Sequence, residues 1–178
     1  AGAEGAADAA GRTGKGIIAR AANDLCRHYA AHEGVQAKIL RVPFLYTASA
    51  ALEDPFFAPL FDACLTGSVA LQGAKDAAFP LLCAEELAVL VRRIFDSWDA
   101  SFETLDVADT FHHTSGEVGE ALKALFPGLS VAYGDSAGYA LPVSDIVRVR
   151  YGWFQRYDLL RDLSTIQARW DAGRAGKV

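Results

Sequence analysis

Residues Gly16–Tyr46 read GIIARAANDLCRHYAAHEGVQAKILRVPFLY, and the change of period inside this stretch decides the fold class. Ile17, Ile18, Ala21, Ala22, Leu25, Cys26 and Tyr29 recur at the spacing of one helical face, with Arg20, Asn23, Asp24, Arg27 and His28 on the other side. The pattern predicts a helix over Gly16–Glu33, closed by Gly34 as a left-handed cap. The period then collapses into a nearly continuous apolar run, Ile39, Leu40, Val42, Phe44 and Leu45. Such a run predicts a strand covered on both faces, as in a parallel sheet flanked by helices. Pro43 lacks an amide donor and marks that strand's end or a bulge.

The same alternation continues outward. Asp54–Leu65 places Phe56, Phe57, Leu60, Phe61, Cys64 and Leu65 at helical spacing behind Pro55. Ser68–Leu71 reads as a short strand closed by Gly73. Ala84–Trp98 carries the strongest stripe, Leu87, Leu90, Val91, Ile94, Phe95 and Trp98, with Glu85 and Glu86 favouring the helix N-terminus. Phe102–Val107 alternates as a strand. Thr114 and Glu117 form a capping box ahead of Val118, Ala121, Leu122 and Leu125, and Pro127-Gly128 ends that helix. Leu129–Tyr133 is a further strand, Ser144–Tyr151 a short helix, and Asp158 caps a last helix with the stripe Leu159, Leu163, Ile166 and Trp170. Helices alternating with short strands predict an α/β fold. Its expected organisation is a flexible leader over residues 1–15, an α/β domain over 16–170 and a frayed tail over 171–178.

Composition narrows the function. The chain has 178 residues, 52% apolar and 22% charged, with a net charge of −5. An acidic surface argues against non-specific nucleic-acid binding, and no apolar window reaches the roughly 20 residues of a spanning helix. Cys26, Cys64 and Cys83 are odd in number and sit in apolar contexts, which fits reduced thiols in the cytoplasm. Residues 1–15 lack the apolar core of a signal peptide. Residue 1 is alanine and the chain contains no methionine, so the reading expects a natural start that is trimmed, processed or left out.

Several constellations point weakly at chemistry. His112 and His113 are adjacent, so their side chains point apart, and no ligand-spaced cluster joins them. Gly11-Arg-Thr-Gly-Lys-Gly16 lacks the spacing and preceding strand of a phosphate loop. The cysteines have no electropositive partner in sequence. Nothing places Ser136, beside Asp135, on a nucleophile elbow. A stand-alone hydrolase or transferase is therefore the weakest of the readings.

Three segments in collinear order resemble the extended short-chain dehydrogenases, the NAD-dependent epimerase/dehydratase family. Ile39-Leu40-Arg41-Val42-Pro43-Phe44-Leu45-Tyr46 is similar to that family's "ILRxPxxYG" strand. Phe79–Phe95, with Glu85-Glu86-Leu87-Ala88, looks like its strand–acidic–helix segment. Tyr151-Gly152-Trp153-Phe154-Gln155-Arg156-Tyr157-Asp158-Leu159 resembles its C-terminal "LGWxPxxxL" stretch. The resemblance covers about residues 15–170. It implies the C-terminal, substrate-side part of a Rossmann-like fold with mostly parallel strands. The intact protein would transfer hydride to and from NAD at a carbon of a nucleotide sugar, as an isomerase or oxidoreductase.

The departures are equally specific. The family's catalytic Tyr-x-x-x-Lys falls on Lys15 and Ala19, beside Arg20. Thr47 stands where a glycine is expected. The arginine that contacts a nucleotide diphosphate falls near Phe79, and no Gly-rich dinucleotide fingerprint occurs. The resemblance therefore implies no catalytic residue here, no NAD bound by this chain alone, and substrate contacts from Pro43, Phe44 and Tyr46, with Arg148 and Arg150 as anion contacts. An aromatic at a strand end is more often packing, and paired arginines are more often a solvated helix face. The alternative is a non-catalytic relative that acts as a binding or dimerisation module. In the family the helix corresponding to 16–33 commonly joins a dimer's four-helix bundle, which implies a homodimer.

Overall fold

The computed structural model describes residues 14–49, 54–99, 102–107, 110–137 and 145–176. In chain order these form α1 (Gly14–His32), β1 (Lys38–Arg41), β2 (Phe44–Tyr46), α2 (Phe57–Leu65), β3 (Ser68–Gly73), β4 (Leu81–Cys83), α3 (Ala84–Asp96), β5 (Glu103–Asp106), α4 (Ser115–Leu125), β6 (Ser130–Ser136), α5 (Asp145–Tyr151) and α6 (Leu159–Ala175). The fold is α/β, as the alternation of periods predicts. No helix among the described residues is long and apolar enough to cross a membrane.

The strands pair two by two, β1 with β5, β2 with β4 and β3 with β6. β2–β4 is parallel, with Phe44 opposite Leu81 and Tyr46 opposite Cys83. β3–β6 is also parallel, from Ser68 opposite Ser130 to Gly73 opposite Ser136, with a register shift between Leu71 and Gly73. The strand expected over Ile39–Leu45 is a correction. It is two strands, separated at Val42-Pro43 and paired into different sheets. Nor is it covered on both faces, because Arg41 is exposed and Phe44 is 71% exposed. Proline has no N–H to give a ladder, so the pairing breaks there.

Other boundaries move for local reasons. The helix expected from Asp54 begins at Phe57, because the Asp54 carboxylate accepts the N–H groups of Phe56 (2.9 Å) and Phe57 (2.5 Å) and turns the chain before the helix starts. The helix expected to reach Trp98 ends at Asp96. The last helix runs to Ala175, into the segment read as a tail, with Arg174 paired to Asp62. The leader's residues 1–13 lie outside the described residues, and Lys15 falls within α1. Gly34 does take the left-handed conformation, at φ 66°.

Two compact units result. One lies within Ala1–Arg41 and Trp98–Leu105. Its α1 has no buried side chain from Ile17 to His32. Its polar ties include Trp98 Nε1 donating to Gln36 (2.6 Å) and Lys38 pairing with Asp99 and with Glu103 (3.3 Å). The other unit lies within Val42–Ser97 and Asp106–Val178. Its core joins Tyr46, Phe57, Phe61, Val69, Leu71, Leu81, Val118, Leu122, Leu159, Leu163, Ile166 and Trp170. Phe61 stacks on Phe57 at 5.3 Å and meets Trp170 at 5.3 Å, so α2 and α6 share one aromatic seam.

Candidate functional site

In open parallel sheets, ligands sit beyond the carboxyl ends of the strands. β2 and β4 end together at Tyr46 and Cys83. What lies beyond them is organised by carboxylates. Asp54, 1% exposed, accepts the Thr47 N–H (2.5 Å) and hydroxyl (3.0 Å). Glu85 accepts the N–H groups of Ala48 (3.3 Å) and Ser49 (3.0 Å), the Ser49 hydroxyl (2.5 Å) and the Cys83 thiol (2.9 Å). Burial alone would raise the Glu85 pKa, but the hydrogen bonds from Cys83 and Ser49 outweigh it and hold the carboxyl down to about 2. Burial, reinforced by the bond to Glu85, pushes the Cys83 thiol up to about 12. Cys83 is therefore a protonated donor and not a nucleophile at neutral pH.

Glu86, the next residue, turns the other way. It is 4% exposed, and its Oε1 accepts the N–H groups of Arg156 (2.7 Å) and Tyr157 (3.1 Å). Its carbonyl accepts Trp153 Nε1 at 3.0 Å. Arg93 donates to the carbonyls of Tyr151 (3.1 Å) and Gly152, and Gly152 turns at φ 58°. Gln155 then accepts the Thr110 N–H (2.8 Å) and hydroxyl (3.1 Å). His113 Nε2 lies 3.1 Å from Asp158, whose same oxygen caps α6 by accepting Leu160 and Arg161 N–H groups. Two adjacent glutamates directly after β4 thus hold two loops, the one at Ala48-Ser49 and the one at Trp153–Tyr157, and Gln155 ties the second to Thr110. Sequence reasoning credited both with helix-dipole placement and with the resemblance to a strand–acidic–helix segment, and assigned neither a loop to hold. The signal for more was two carboxylates directly after the fully buried strand Leu81–Cys83.

The residues singled out in the sequence fall into three settings. Pro43 is half-buried, and Phe44 projects outward from β2. Tyr46 is 1% exposed, with its ring edge-on to Phe57 at 5.5 Å. Arg148 and Arg150 lie on the exposed side of α5, whose Val147 and Tyr151 are buried. Ala19 is exposed on α1. His112 is exposed at φ 55° while His113 is buried. Among the described residues no group of three or more His, Cys, Asp or Glu side chains could hold a metal.

The site does not fit a dinucleotide. A pyrophosphate needs a helix N-terminus with free N–H groups behind a glycine turn. The direct strand-to-helix junction here, Cys83–Ala84, instead carries Glu85 and Glu86.

No protein-family model matches the sequence, and no curated protein matches it. Solved structures match the fold. MoeE5 in complex with UDP-glucose and NAD is 20% identical with a TM-score of 0.70, over 90% of this chain and 56% of that one. L-threonine dehydrogenase from Phytophthora infestans is 18% identical, with a TM-score of 0.69 over 89% and 55%. UDP-glucose 4-epimerase with UDP-glucose from Thermotoga maritima is 14% identical, with a TM-score of 0.68 over 90% and 53%. The fold is that of the extended short-chain dehydrogenases, and the chain spans little more than half the length of these structures.

Proposed function

We propose that this chain is the C-terminal, substrate-side part of an NAD-dependent nucleotide-sugar epimerase/dehydratase-like protein, and that it contributes substrate contacts rather than the hydride chemistry. The observation that carries this is the loop cluster held by Glu85 and Glu86 beyond the ends of parallel strands β2 and β4. In this reading Pro43 and exposed Phe44 face the ligand, and buried Tyr46 supports that wall from beneath. Arg148 and Arg150 offer guanidinium groups to the ligand's phosphates. NAD belongs to the intact protein, in which the catalytic residues lie outside this chain or are lost. The solved structures described with UDP-glucose and NAD, and with UDP-glucose, support the ligand class. The setting is the cytoplasm, consistent with three unbridged cysteines.

The test is calorimetric titration of the full-length protein with UDP-glucose, in the presence of NAD, followed by turnover across a panel of nucleotide sugars. Phe44→Ala, through lost apolar contact, and the double change Arg148→Ala/Arg150→Ala, through lost charge-assisted contact, are each expected to weaken binding by about tenfold. Absence of any nucleotide binding by the full-length protein and by this chain refutes the reading.

A second reading has its own observation. On α1, Ile17 (56%), Ile18 (71%), Leu25 (56%) and Tyr29 (45%) are exposed. An apolar stripe of this kind marks an association surface. We infer that it pairs with the same helix of a second copy, giving a homodimer that a non-catalytic relative would also retain. Sedimentation should show a dimer that Leu25→Glu dissociates; a monomeric wild type refutes it.

A further inference from the structure

The exposed face of α1 that carries Ile18, Leu25 and Tyr29 also carries two histidines, His28 and His32, three and seven residues after Leu25. His28 and His32 are one turn apart, and their rings lie 4.6 Å between centroids at an interplanar angle of 47°. Both side chains are exposed. Among the described residues neither imidazole makes a hydrogen bond or an ion pair; their contacts are with each other and, for His28, with Tyr29 at 5.9 Å. All ring nitrogens thus remain available as donors to a ligand. Two histidines at this spacing on one helix are the geometry by which helical zinc sites present two imidazoles to a single ion. Two imidazoles on one metal at about 2.0–2.1 Å hold their ring centres about 5 Å apart. The centroid separation found here, 4.6 Å, is close to that value.

We propose that His28 and His32 chelate one borderline divalent transition metal, Cu2+, Ni2+ or Zn2+, as a two-imidazole site on the surface of α1. In the monomer the remaining coordination positions are filled by water, because no third ligand-type side chain joins the pair among the described residues. Imidazole donors favour these ions over Mg2+, which takes oxygen ligands. Asp24 lies one further turn upstream, and the net charge of −5 makes cation approach favourable. Helical zinc hydrolases carry a glutamate directly after the first histidine; Tyr29 stands there. The site therefore binds a metal and has no base with which to activate water.

The proposal is independent of the nucleotide-sugar reading and is tested on the chain at a dilution where sedimentation shows a monomer, because the two histidines share a face of α1 with the stripe a second copy would cover. Calorimetric titration with CuCl2, NiCl2 and ZnCl2 should give one site per chain, tightest for Cu2+, while MgCl2 gives no heat. Loss of a ligand is expected to weaken binding by at least about tenfold in His28→Ala and in His32→Ala, and His112→Ala, at the other exposed histidine, should leave it unchanged. The ion cross-links adjacent turns, so saturating Zn2+ should also slow amide exchange around Asp24–His32 in the wild type and not in His28→Ala. Absence of binding, binding that survives in both single variants, or binding lost in His112→Ala overturns the proposal.

Discussion

At the scale of single residues, carboxylates do the organising. Glu85 illustrates how the sign of a pKa shift becomes a stability. Its folded value of about 2 lies below the usual 4.5. The folded state therefore resists protonation more than the unfolded chain does. That contribution is complete above about pH 4.5 and is lost as pH falls toward 2. At about 1.36 kcal/mol per pH unit the full effect is about 3 kcal/mol. Glu85 is partly exposed, and solvent screening reduces this to about 1–2 kcal/mol. Urea unfolding at pH 6 and pH 3 should show the wild type losing more stability than Glu85→Gln, whose curve lacks this titration. Equal losses in both proteins would remove Glu85 from the account. Residues such as this were only half legible in the sequence. A glutamate behind a strand announces a helix start, but its partners Ala48 and Ser49 lie some 36 positions away. No periodicity encodes that distance.

At the scale of elements, periodicity was informative and ladder pairing was not. The capping box at Thr114 and Glu117 is formed as written, with Glu117 accepting the Thr114 N–H at 2.8 Å and Thr114 accepting the Glu117 N–H at 3.2 Å. Asp158 caps α6 as the sequence implied. Pro43 signalled a strand end, yet the split of β1 from β2 into different sheets depends on which partner strands arrive from residues 81–83 and 103–106. The packing of α4 on β3 and β6 was invisible in sequence. It depends on Gly119, whose Cα faces the Tyr133 hydroxyl so closely that an added Cβ would stand 2.2 Å from it. That hydroxyl is buried and makes no hydrogen bond among the described residues. A buried polar group left unsatisfied costs about 1–3 kcal/mol. Tyr133→Phe is therefore expected to stabilise the protein by about 1 kcal/mol. Gly119→Ala should destabilise it, and should do so less in the Tyr133→Phe background, because the clashing oxygen is gone. Thermal unfolding of the four proteins measures the coupling; additive effects would contradict the contact.

At the scale of the whole molecule, apolar content is divided unequally between the two units. Val42–Ser97 with Asp106–Val178 holds almost every fully buried side chain, from Tyr46 and Phe57 to Trp170. The unit within Ala1–Arg41 and Trp98–Leu105 has Leu105 at 1% exposure but leaves Ile17, Ile18, Leu25, Tyr29 and Val35 between 45% and 71% exposed. The period of α1 was read correctly from its sequence; what the period could not say is whether anything in this chain covers the stripe. Local stability follows burial, and segments with few buried apolar contacts open at far lower free energy than the global transition. A two-stranded sheet such as β1–β5 adds little by itself. Amide hydrogen exchange of the dilute chain should therefore show α1 and β1 exchanging well before α2, α4 and the β3–β6 pair. Raising protein concentration should slow α1 alone if a second copy is what covers its stripe, since association stabilises only the species it binds. Exchange of α1 as slow as that of α6 in the dilute monomer would contradict this division of the core.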